Sequence, residues 1–157
     1  MSAKNLFIPS KNRILSAGNE FHWNLGDNEI AAESTMFYHH VFPPTGEESR
    51  VFTGLTGSSE AGDFFSFTLS VPYLDQDVME YTYTLNDGQG LALSHGHSIP
   101  APPGFEGVRF VDADDAQLTI RLDRTKGTVQ GDFVATFKSN GYRLAPSGTF
   151  KLTRSDQ

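Results

Sequence analysis

Residues 91–105, LALSHGHSIPAPPGF, hold the side chains best suited to chemistry. In an extended chain His95 and His97 point to the same side, roughly 6.6 Å apart. Two imidazoles so placed can converge on a divalent metal, with bonds of about 2.0–2.1 Å for zinc. Without a metal they can act as acid–base or hydrogen-bonding groups, since a free imidazole titrates near pH 6.5. They can also be purely structural residues at a strand end. Leu91 and Leu93 share their side of the strand, while Ala92, Ser94, Gly96 and Ser98 take the other. The row Leu91, Leu93, His95, His97 therefore reads as an inward face whose polar end reaches the mouth of a pocket. Pro100, Pro102 and Pro103 stiffen the following residues into a rim, and Phe105 is placed to close it.

Tyr81 and Tyr83 alternate with Met79 and Leu85 in MEYTYTL (79–85), which predicts that they too face inward. Their hydroxyls are candidate ligand contacts deeper in such a pocket. The expected ligand-binding set is thus His95, His97, Phe105, Tyr81 and Tyr83, with His95 and His97 as the candidate metal ligands. The run from Gly90 to His95-x-His97 resembles the first motif of the cupins, small β-barrels that bind a metal. In the cupin motif an acid follows a few residues on, and a further histidine ligand comes later. Here the next acid is Glu106 and no histidine follows His97, so those two ligands have no counterpart.

Other motifs carry less. DADD (112–115) could offer oxygen to calcium but lacks EF-hand spacing, and DQD (75–77) reads as an exposed turn. There is no phosphate-binding loop, dinucleotide fingerprint or nucleophile elbow. The absence of cysteine excludes disulfides and thiolate chemistry.

The elements that must position these residues are strands. QLTIRLD (117–123), TVQGDFVATFK (128–138) and GTFKLTR (148–154) each alternate apolar and polar residues, and they predict a C-terminal antiparallel meander. Asn140-Gly141 between the last two accepts the positive φ of a tight hairpin turn. Further strands are expected over 20–25, 50–55, 63–73, 79–85, 91–97 and 108–110. STMFYHHVF (34–42), apolar on both faces, reads as a central strand. No window shows a capped 3.6-residue period. The expectation is an all-β chain: a single-domain antiparallel β-barrel or β-sandwich of about eight to ten strands, spanning 1–157.

Charge bounds the partners. The 157 residues carry a net charge of −7, which argues against nucleic acid. The acids cluster in an extended middle section, whereas 1–16 hold three bases and no acid, and 116–157 hold seven bases and three acids. Such segregation suits a protein partner, a second copy, or ends that lie against the body. No apolar run is long enough for a signal peptide or membrane span, so a cytoplasmic location is expected, with non-classical export as the alternative. The leading expectation is a small-molecule-binding protein with a partly enclosed aromatic pocket and no obligatory cofactor. The alternatives are a non-redox isomerase or cyclase, or a metal-dependent enzyme using His95 and His97, and an acidic protein-interaction module.

Overall fold

A computed structural model describes residues 18–154. The basic N-terminal stretch 1–16 lies outside them. Eleven strands run in chain order: β1 (Glu20–Leu25), β2 (Asn28–Ala31), β3 (Ser34–Phe42), β4 (Glu47–Thr56), β5 (Phe65–Pro72), β6 (Val78–Thr84), β7 (Ala92–Ile99), β8 (Gly107–Asp112), β9 (Asp115–Asp123), β10 (Thr128–Thr136) and β11 (Ser147–Thr153). They form a six-stranded sheet, β2-β1-β11-β10-β9-β6, and a five-stranded sheet, β3-β4-β5-β7-β8. Every pairing is antiparallel. The two sheets keep separate edges and do not close into a barrel, so the sandwich is the fold and the barrel alternative falls away. Among the described residues no helix is long and apolar enough to cross a membrane.

The expected C-terminal meander is β9-β10-β11, in a register that pairs Leu118 with Phe133 and Gly131 with Phe150. Alternation decides which side faces in. Leu118, Ile120 and Leu122 of β9 are all but fully buried, while Val134, on the polar side of β10, is 53% exposed. Asn140 and Gly141 both adopt positive φ, and the Tyr142 amide donates to the Ser139 carbonyl. Those are the torsions that the Asn-Gly pair makes accessible.

Aromatic rings fill the space between the sheets. Phe21 of β1 stacks on Phe150 of β11 at 5.4 Å, and Phe150 stacks on Phe52 of the facing β4 at 5.1 Å. Trp23 meets Phe65 and Phe67 of β5. Rings of this size need gaps opposite them. A Cβ at Gly54 would lie 2.4 Å from Phe21 Cγ, and one at Gly131 would lie 2.3 Å from Phe150 Cζ. Glycine stands at both places because the facing ring occupies the side-chain volume.

Two expectations need correction, and one strand lies outside them. Strand β3 is an edge strand, not a central one. Its double-sided apolar character reflects cover on both faces, since Met36 and Phe37 are both buried although the strand pairs only with β4. Strand β2 was not legible as a strand. Tyr81 is not in the core: it is 42% exposed, whereas Tyr83 is buried. Both rings share a face and lie 4.6 Å apart, but β6 is an edge strand and its cover stops short of Tyr81.

Candidate functional site

Strand β7 pairs with β5 so that Leu93 faces Leu69, His95 faces Phe67 and His97 faces Phe65. The row Leu91, Leu93, His95, His97 therefore does point between the sheets. Its two histidines end in different environments. His95 is 1% exposed and sealed by rings, with centroids of Phe65 at 4.4 Å, Phe67 at 5.0 Å and Phe137 at 5.8 Å. Its Nδ1 lies 2.8 Å from the Ser66 carbonyl oxygen. A carbonyl can only accept, so the proton sits on Nδ1. Burial pushes the His95 pKa down to about 4, against the raising effect of the Ser66 bond, and nearby His97 lowers it further. His95 is thus a neutral packing group at physiological pH.

His97 is half-buried at the open end of the row. Its Nδ1 lies 3.0 Å from the Ser98 carbonyl oxygen, which again places the proton on Nδ1. Its bare Nε2, 2.7 Å from the Tyr142 hydroxyl, accepts that hydroxyl's proton. Tyr142 follows the Asn140-Gly141 turn between β10 and β11, so the pair joins the two sheets. Beside it lies an open groove lined by Phe110, Asp112, Asp114, Asn140 and Tyr142. Asp114 is committed to the turn: its carboxylate accepts from the amides of Lys138 at 2.6 Å and Ser139 at 3.0 Å, and from the Ser139 hydroxyl. Those bonds hold its pKa down to about 2, the Ser139 hydroxyl contributing most.

The two imidazoles stack 5.2 Å apart at 21° and do not converge on a common point. Among the described residues no group of three or more His, Asp, Glu or Cys side chains is placed to hold a metal ion. Among the described residues neither a third ligand nor a closed barrel accompanies the cupin-like motif. Phe105 is 74% exposed in the loop joining β7 to β8, so it does not close over the histidines. The expected set therefore disperses: His95, His97 and Tyr83 point inward, Tyr81 lies at an edge, and Phe105 lies outside.

Sequence reasoning did not single out Tyr142 or Arg50. Arg50 belongs to β4, two residues from inward-facing Phe52. Its parity in RVFTGL already places a cation in an apolar row. Tyr142 carried no such signal, because its contact spans 45 residues of chain.

The fold and the site together define an antiparallel two-sheet β-sandwich with an aromatic-filled interior and a His–Tyr pair at one open end. Compared with protein-family models, curated proteins and solved structures, the chain matches none.

Proposed function

We propose that this chain is a small-molecule-binding protein that takes its ligand in the open groove beside Tyr142, and not among the interior rings. The observation that carries this reading is the direction of the His97–Tyr142 hydrogen bond. With its proton given to His97 Nε2, the Tyr142 oxygen offers only lone pairs to anything else nearby. A ligand that meets this oxygen must donate. The groove is also lined by Asp112, Asn140 and Phe110. That combination suits a small ligand bearing an ammonium or hydroxyl donor and an apolar part. The filled interior supports a surface groove over an enclosed pocket, and the sealed, neutral His95 supports binding over acid–base catalysis.

Ligand-observed NMR over a library of small amines and polyols tests this. Binders are expected whose dissociation constant rises about tenfold in Tyr142→Phe, the worth of one well-placed hydrogen bond. A library without binders at millimolar concentration, or binders indifferent to Tyr142→Phe, would overturn the reading.

A further inference from the structure

The opposite end of the intersheet space holds a buried cation. Arg50 points inward from β4 and is 3% exposed. Its Nη1 donates to the Met79 sulfur at 3.4 Å, and its guanidinium lies 4.4 Å from the centre of the Tyr73 ring. Nη2 is buried with no hydrogen-bond partner. Among the described residues no carboxylate pairs with it; burial works against its charge, the Tyr73 and Tyr83 hydroxyls favour it, and Arg124, of like sign, opposes it. The Tyr83 hydroxyl, near enough to feel the same charge, is also buried and unpartnered.

A guanidinium this deep is costly unless paired and fully hydrogen-bonded. Sulfur, a ring face and neutral phenol hydroxyls are weak substitutes for an anion. Beside Arg50 lies a cavity that holds about one water-sized sphere, bordered by His39, Asp123, Arg124, Gly127 and Arg154. The nearby carboxylates are engaged elsewhere. Asp75 and Asp77 pair with Arg124, which also donates to the Tyr73 hydroxyl. Glu48 lies 3.1 Å from His39, and Asp123 accepts from the Lys126 amide at 3.1 Å. What Arg50 lacks is one small negative charge that accepts from Nη2.

We infer that the Arg50 end of the sandwich is a binding site for a monovalent anion of chloride size. The enclosed part of the cavity is far too small for the body of an organic acid, and a bare halide, only slightly larger than water, supplies both the charge and the acceptor. Water would satisfy only the second need. A halide there would also tie β4 to the β9–β10 turn, so its binding couples to the stability of this end of the fold.

The full chain crystallised from sodium bromide, with data collected at the bromine edge, tests the site directly. An anomalous peak within hydrogen-bonding distance of Arg50 Nη2 is expected, and a map without one overturns the inference. In solution, the thermal midpoint should rise with chloride when gluconate replaces it at constant ionic strength. A midpoint independent of chloride also overturns it. Arg50→Met should flatten that dependence. Arg50→Lys, which keeps the charge, should retain part of it if the Met variant does not fold.

Discussion

The Nε2 atom of His97 and the hydroxyl of Tyr142 meet at 2.7 Å and join strand β7 of one sheet to the β10–β11 turn of the other. The bond links residues far apart in sequence, so it restrains the open end of the sandwich as well as orienting the phenol. Removing the hydroxyl leaves a half-buried imidazole nitrogen without its donor. Tyr142→Phe should therefore cost about 1 kcal/mol. Urea titration should show a lowered midpoint with an unchanged slope. An unaltered midpoint would mean that the bond contributes nothing to the fold.

His95 should make stability depend on pH. Its folded pKa, about 4, lies below the value of 6.5 that it has when unfolded. Between those values the unfolded chain binds the proton and the folded chain does not. Stability therefore falls as pH drops from about 6.5 to 4, and this contribution is fully present only above 6.5. The full difference is about 3 kcal/mol. His95→Phe keeps a ring among Phe65, Phe67 and Phe137 but removes the imidazole's hydrogen bond to the Ser66 carbonyl. The variant should be less stable at pH 7.5 and show a shallower decline between pH 6.5 and 4. Parallel pH profiles for the two proteins would refute the assignment.

Gly54 should tolerate no side chain. The Cβ of alanine would meet Phe21, itself stacked on Phe150, so the ring has nowhere to retreat. Gly54→Ala should destabilise by about 1–3 kcal/mol, the usual cost of overpacking. Differential scanning calorimetry gives the check, and a loss below about 0.5 kcal/mol would show that the ring repacks freely.

Much of this fold is legible in the sequence, because alternation reports which face a residue takes. The row Leu91, Leu93, His95, His97 and the meander β9-β10-β11 follow from parity alone. Parity does not report how far the opposing sheet extends. Tyr81 and Tyr83 share a face, yet only Tyr83 is covered. Parity also does not report which strand is an edge, since β3 is buried on both faces while bonded on one. The four residues of β2 include a single large apolar side chain, Ile30, and are too few to show a period. The His97–Tyr142 pair depends on how the sheets face each other, which no local pattern encodes.

Asp114 should govern the acid limb of stability at the β10–β11 turn. Its carboxylate holds the amides of Lys138 and Ser139 and the Ser139 hydroxyl, and these bonds lower its pKa from 3.8 to about 2. A depressed carboxyl stabilises the fold above its unfolded pKa, and this contribution is lost as pH falls from about 3.8 towards 2. Asp114→Asn keeps one acceptor oxygen but removes the charge that strengthens all three bonds. The variant should melt at lower temperature at pH 7 and lose less on acidification from pH 4 to 2. Because the turn carries Tyr142, amide exchange at Tyr142 and Leu144 should also quicken in the variant, and by more than exchange in β4 and β5. Uniform acceleration across both sheets would show instead that Asp114 acts on the whole fold and not on the turn that presents Tyr142.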